Sequence, residues 1–438
     1  MPQPRRRVAL ALEGAVPQRG LHSWVRSLSG PGLVFILAAL GPQDLLSNAV
    51  AGAEHGYSLL WTLLLLAVAR YVVLEASGRY VVVSGESLVE GYARFGRWVA
   101  WLLFFSILVK RHLTNLSLIL LMGAALNLLL PLNVPRGAAY WSLLLWTLAF
   151  WVMWEGRYAR VEKWFKPLAM LLACCLIVVA LLSRPNPVLI MQGLIMPSVP
   201  QGGSLPSTLF LLMALMGAGA GSVNNLKYPA FLREKGWDSR LYLRANRRQA
   251  LYSAGGLFFA AFLVQVATAA SGHPTQELKT ASDLTAIFAR VLGEPGRLAM
   301  AAGLAAAVFS TFVGANTGYS LITSDIFHNV LHRSEGKART RPPGDLPAYR
   351  GALLLFTVPS LYVLVTNWQP VWLVLLSAAV TVVLLPLTVP VLMLLTSSRA
   401  RMGGHASGWA TKAVMTLLVL AALYLTWQNS RALLAAGP

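Results

Sequence analysis

Acidic residues are scarce in this chain. Sixteen Asp and Glu stand against 36 Lys and Arg, and charged residues of both signs make up only 12% of the 438 positions. So little charge, beside 56% hydrophobic residues and a mean hydropathy of +0.61, excludes an ordinary soluble domain. Cysteine is nearly missing. Cys174 and Cys175 are adjacent, and neighbouring cysteines rarely bridge, so both read as apolar packing residues and a disulfide framework is excluded. CxxC, HExxH, P-loop and GxGxxG patterns are absent, as are His-rich tracts. Their absence argues against a structural zinc site, a nucleotide cofactor and ATP-driven transport by this chain alone. No constellation of residues fits an enzyme.

What is present is apolar sequence in long runs. About 20 apolar residues span a bilayer. Eleven such runs are found: 31–54, 57–77, 98–130, 138–154, 166–183, 207–232, 250–271, 298–329, 350–367, 370–395 and 408–428. The chain therefore reads as an all-α integral membrane protein of about eleven transmembrane helices, and no stretch reads as a cleavable signal peptide.

The formal net charge of +20 does not point to nucleic acid, because the bases alternate by loop. Arg5, Arg6, Arg7, Arg19 and Arg26 precede span one. Arg79, Arg94 and Arg97 lie between spans two and three, and Arg157, Arg160, Lys163 and Lys166 between four and five. Arg233, Lys235, Arg240, Arg244, Arg247 and Arg248 follow span six. Arg333, Lys337, Arg339, Arg341 and Arg350 lie between eight and nine, and Arg399, Arg401 and Lys412 between ten and eleven. The positive-inside rule then places the N-terminus in the cytoplasm of a plasma (inner) membrane protein and the C-terminus outside. In the cytoplasmic loops, Ser87-Leu-Val-Glu90 has the spacing of a capping box.

Two of the spans are interrupted. The first breaks at Gly41-Pro42-Gln43-Asp44, the second, about 180 residues later, between Gly217 and Asn225. Breaks of this kind free backbone groups that lipid cannot satisfy, and they are tolerated where they line a polar cavity. A pair at corresponding places in two halves marks a transporter's binding site. Spans one to five and six to ten each open with a broken helix. An odd number of spans per repeat gives an inverted pair, 30–185 and 205–397, within a core of 30–400. Residues 1–29 form a cytoplasmic segment and 401–438 carry an added eleventh helix.

Several segments resemble the Nramp family of divalent-metal transporters, of the amino acid–polyamine–cation superfamily. They are GPGLVFILAALGPQD, AGAEHGYSLLW, GESLVEGYARFGRWV, MGAALNLLLP and SVNNLKYPAFLREKGW. The resemblance implies the inverted five-plus-five fold with unwound first and sixth helices. The family's site residues are altered. Where the family has Asp-Pro-Gly-Asn, with the aspartate and asparagine binding metal, Gly41 takes the aspartate position and Asp44 the asparagine position. At the family's Ala-x-x-Met pair stand Gly219 and Ser222, followed by Val223 and Asn224 where the family has Pro-His. The methionine thioether that favours transition metals is gone. Asn115 and Leu118 replace the two acids that the family places on its proton route in span three, and neither takes up protons near neutral pH. The tenth-span stretch SAAVTVVLLPL is apolar where the family offers a glutamine.

Bases appear instead. Lys110, Arg111 and His112 lie about 12 residues inside span three, and Lys227 follows the second break. Arg111 is about 20 Å along the helix from Trp98 at 1.5 Å per residue, too far for simple snorkelling. Intramembrane bases face a cavity or a partner; Lys227 has Asp44 and Glu234 as candidate partners. Arg111 and Asn115, four apart, share a helix face. At an effective dielectric of 20, each base about 10 Å from a divalent cation opposes it by roughly 3 kcal/mol.

The substrate-binding set is accordingly Gly41, Gln43, Asp44, Gly219, Ser222, Asn224 and Asn225, with Lys110, Arg111, His112, Asn115 and Lys227 along the pathway. The charge balance favours a small anion, bicarbonate first, bound by amides, a hydroxyl and helix N-termini. The alternative is a divalent cation, Mg²⁺ or Mn²⁺, held by Asp44, Gln43, Asn224 and carbonyls in an all-oxygen site. A third reading is a non-transporting membrane sensor. The partners expected are a small inorganic ion and the lipid bilayer, with no cofactor, nucleic acid or obligate protein partner.

Overall fold

The computed structural model describes residues 30–156, 158–198, 205–220, 222–271, 280–331 and 346–435. The N-terminal segment 1–29 and its arginines, Arg157, and Arg333, Lys337, Arg339 and Arg341 lie outside them. Among the described residues every regular element is a helix. The first span is α1 (Pro31–Ala39) and α2 (Pro42–His55), followed by α3 (Leu60–Ser84), the short α4 (Leu88–Ala93), α5 (Arg97–Leu129), α6 (Gly137–Trp154), α7 (Tyr158–Leu182) and α8 (Pro187–Ile195). The second half comprises α9 (Leu205–Ala220), α10 (Ser222–Asn225), α11 (Lys227–Glu234), α12 (Leu243–Ala270), α13 (Ala281–Asp325), α14 (Pro347–Thr357), α15 (Pro370–Val383), α16 (Leu385–Ser397), α17 (Arg399–Met402) and α18 (Trp409–Ala435). Among the described residues eight helices are long and apolar enough to cross a membrane, and up to eleven spans result if each of three bent pairs counts as one. The pairs are α1 with α2 (56°), the end of α7 with α8 (114°), and α15 with α16 (45°).

The helix ends follow local chemistry. The Ser87 side chain accepts from the Glu90 N–H at 3.1 Å and Glu90 accepts from the Ser87 N–H at 2.6 Å, the capping box that the spacing predicts. Thr280 and Asp283 do the same for α13. Gly85 closes α3 in a left-handed conformation with φ of 73°, which glycine adopts at no steric cost. Proline opens α1, α2, α8, α14 and α15, where its missing N–H is an unused donor anyway.

Two helices organise the interior. α13 packs on α5, α7 and α1, and α12 packs on α3 and α2. α9 packs on α15 and α2, so the halves of the two interrupted spans touch. Close approach there requires glycine: a Cβ on Gly217 would lie 1.8 Å from the Ala378 carbonyl oxygen of α15. Outward faces carry apolar side chains such as Leu65, Leu181 and Leu417, as lipid contact demands. Cys174 and Cys175 are free thiols. Ion pairs tie elements together: Arg233 of α11 to Asp325 of α13 at 2.9 Å, and Arg247 of α12 to Glu75 of α3 at 3.7 Å; Glu75 also pairs with Arg79 within α3 at 3.1 Å.

Candidate functional site

The first break is shorter than 41–44. α1 stops at Ala39, Leu40 and Gly41 are non-helical, and the helix restarts at Pro42, so Gln43 and Asp44 belong to the first turn of α2. Proline at the first helical position explains the restart. The carbonyls freed here find side-chain donors, as burial requires. Thr311 of α13 donates to Leu40 O at 3.1 Å, and Lys227 Nζ donates to Ala38 O at 2.6 Å. Gly41 gives Thr311 its access: a Cβ would sit 2.7 Å from Thr311 Cγ2.

The second break is also tighter than the expected stretch from Gly217 to Asn225. α9 is helical through Ala220, Ser222–Asn225 forms a turn of helix, and α11 restarts at Lys227. Gly221 and the Ser222 side chain lie outside the described residues. Arg70 of α3 donates to Ala218 O, and Asn225 Nδ2 donates to Ala220 O at 3.3 Å.

Between the breaks lies a small cavity with room for about one water. Its lining includes Gly41, Gln43, Arg111, Asn224, Lys227 and Thr311. Gln43 donates to Ser377 Oγ of α15 at 2.7 Å, so the tenth span, read as apolar, supplies a hydroxyl after all. Lys110 donates to Asn224 Oδ1 and sits 3.3 Å from the Tyr319 hydroxyl. Arg111 donates to Asn115 Oδ1 and, at 3.0 Å, to Asn316 Oδ1. Three cations surround the ring of Tyr319: Lys227 Nζ at 5.3 Å, Arg111 Cζ at 5.4 Å and Lys110 Nζ at 5.8 Å from its centroid. The ring's negative face is attractive to each of them.

Six expected members, Asp44, Gly219, Asn225, Lys110, His112 and Asn115, are not among the cavity's lining residues. Asp44 does not line the cavity; its Oδ1 accepts from Arg70 at 2.9 Å, and both side chains are almost fully buried. Lys227 therefore pairs with neither Asp44 nor Glu234 but with the Ala38 carbonyl, because a freed carbonyl lies nearer than either acid. His112 turns outward from the cavity, stacking on Tyr362 and approaching Ser360, since it lies on the face of α5 toward residues 359–365. Asn225 lines a separate small cavity with Tyr92 and Thr388. Gly219, wound into α9, packs against the Leu66 side chain. Leu118 is buried core, and Asn115 bridges Arg111, Asn316 and the Phe356 carbonyl.

The family description "Natural resistance-associated macrophage protein-like" matches residues 32–429. The chain belongs to the Nramp family. It is 28% identical over 204 residues to "Divalent metal cation transporter MntH" of Chromohalobacter salexigens, covering 45% of this chain and 44% of that protein. It is 25% identical over 205 residues to "Metal transporter Nramp3" of Oryza sativa subsp. japonica, covering 46% of this chain and 36% of the relative. The chain thus matches less than half the length of these relatives. Among solved structures, an Eremococcus coleocola manganese transporter in complex with an aromatic bis-isothiourea compound superposes with a TM-score of 0.70 at 16% identity, over 97% of this chain and 91% of that one. MhsT in complex with L-phenylalanine gives 0.60 at 16% identity, over 91% and 97%. Both likenesses concern the fold, which is that of Nramp membrane transporters. Arg70, Asn316, Tyr319, Thr311 and Ser377 complete the site that sequence reading had only partly assembled.

Proposed function

We propose that this Nramp-family membrane protein transports a small inorganic ion, and that a divalent cation is the leading substrate. This reverses the order expected from the sequence, which placed bicarbonate first: the relatives bear metal-transporter names. The observation that carries the reading is the gathering of oxygens around the two breaks. Gln43, Asn224 and the Ala38 carbonyl at the cavity, with Asp44 and the Ala218 carbonyl beside it on Arg70, offer hard oxygen donors without the sulfur that selects softer metals. On this reading Mg²⁺ or Mn²⁺ is the cargo of a plasma membrane protein, and the alternation of basic loops supports a cytoplasmic N-terminus.

One specific observation favours the anion. Arg70, Lys110, Arg111 and Lys227 all converge on the breaks, against the carboxylate of Asp44. A low-dielectric cleft lined by one sign of charge concentrates ions of the other. Uptake into proteoliposomes decides between the two, comparing Mn²⁺, Mg²⁺ and bicarbonate with and without a pH gradient. Metal uptake without bicarbonate uptake supports the proposal; bicarbonate uptake without metal uptake sinks it.

A further inference from the structure

A bound cation at two helix breaks would do three things: satisfy the freed carbonyls, neutralise the nearby carboxylate, and draw in side-chain oxygens from both spans. In this protein its own side chains do all three. Lys227 Nζ rests on Ala38 O of the first break at 2.6 Å. Lys110 Nζ rests on Asn224 Oδ1 beside the second. Arg70 bridges the breaks, joining Asp44 Oδ1 at 2.9 Å to Ala218 O. We infer that Lys110 and Lys227 are tethered cations that occupy the ion site, so that a divalent ion binds there only by displacing an amine.

Space gives the same answer as the hydrogen bonds. The cavity has room for about one water, so a divalent ion there would have to take most of its oxygen ligands from the lining. Both Lys227 and Asn224 line it, so the volume and donors that an ion would need are those the lysines hold. The lysines themselves are lightly held. Each ammonium has three donors, yet Lys227 makes one hydrogen bond and Lys110 two, with the Tyr319 ring as the remaining contact for each. Arg70 is different: it carries the ion pair with Asp44, so it is a fixed part of the frame. Gly318 leaves the space that the Lys227 stem fills, since a Cβ there would meet Lys227 Cγ at 3.0 Å.

The inference rests on the cation reading of the substrate, and it is tested by binding so that its outcome is independent of transport. Mn²⁺ and Mg²⁺ are titrated calorimetrically into detergent-purified parent, Lys110→Met, Lys227→Met and the double variant. Each single variant should bind at least about tenfold tighter than the parent. Lys227→Arg, which keeps a cation, should stay at the parent affinity and controls for general loosening. In the Lys110→Met background, Asn224→Ala should abolish the gain. Folded variants with parent-like or weaker metal binding overturn the inference, as does a gain that survives Asn224→Ala or appears equally in Lys227→Arg. Proteoliposome flux is read separately. Tighter binding with no metal flux in any protein upholds the inference and overturns the transport proposal; metal flux in the parent with no gain in binding does the reverse.

Discussion

The pair of Arg70 and Asp44 offers the sharpest quantitative test of the site. The two groups meet at 2.9 Å with side-chain exposures of 6% and 3%, so neither charge has water as an alternative partner. Replacing Arg70 by Met leaves the Asp44 carboxylate and the Ala218 carbonyl without their donor. Asp44 Oδ2 already lacks a hydrogen-bond partner among the described residues. Breaking a buried pair from one side costs about 3–5 kcal/mol, most of it the penalty for the charge left behind. Removing both charges, in Arg70→Met with Asp44→Asn, should cost less than the two single changes together, because no uncompensated ion remains. A coupling of about 2–3 kcal/mol is expected. The assay is thermal and denaturant unfolding in one detergent for the parent, both single variants and the double. If the double variant equals the sum of the singles within about 0.5 kcal/mol, the two groups do not act as a buried pair and the reasoning fails.

Asp44→Ala should abolish ion uptake in a protein that still folds; normal uptake would remove this carboxylate from the mechanism. Because Asn115 and Leu118 stand where the family's proton-route acids are expected, Mn²⁺ uptake should bring no proton influx, and lumenal acidification seen with a pH dye on adding Mn²⁺ would contradict this. Gly41→Ala forces its Cβ to 2.7 Å from Thr311 Cγ2 and should destabilise by about 1–3 kcal/mol, with partial recovery when Thr311→Ala is added. Glu86→Gln breaks the pair with Arg94, whose side chains are 47% (Arg94) and 33% (Glu86) exposed, and should change stability by less than about 1 kcal/mol at ordinary salt.

The fold was legible because membrane insertion writes it in a coarse alphabet. Apolar runs of the right length mark spans whatever their packing, and Pro42 or the glycines at 217 and 219 mark interruptions. Boundaries were less legible. α3 runs on to Ser84, beyond the expected 77, because Glu75 and Arg79 pair across one turn within the protein instead of ending the span. The breaks were overestimated for a related reason. A glycine lowers helix propensity but does not end a helix whose hydrogen bonds are kept, and α9 keeps its own through Ala220.

The site was half legible, and the missing half had a readable signal. Arg70 stands in the middle of LLLLAVARYVV, as deep in its span as Arg111 is in span three, and the cost of an intramembrane base applies to it equally. With Arg70 included, Asp44 has its partner and Lys227 is released to the Ala38 carbonyl. Tyr319 and Asn316 were harder to find. Neither carries charge, and a tyrosine or an asparagine within GANTGYS is unremarkable until three cations are seen around one ring and two of the amides are seen to face each other. What the sequence does carry is the exchange itself: acids absent from span three, Ser222 in place of the family's methionine in span six, bases present in both. Substitution in one direction only would leave either orphaned carbonyls or unpaired ammonium groups in the interior, each costly. Made together they compensate, since the lysines find their acceptors in the backbone and amide oxygens that the breaks expose.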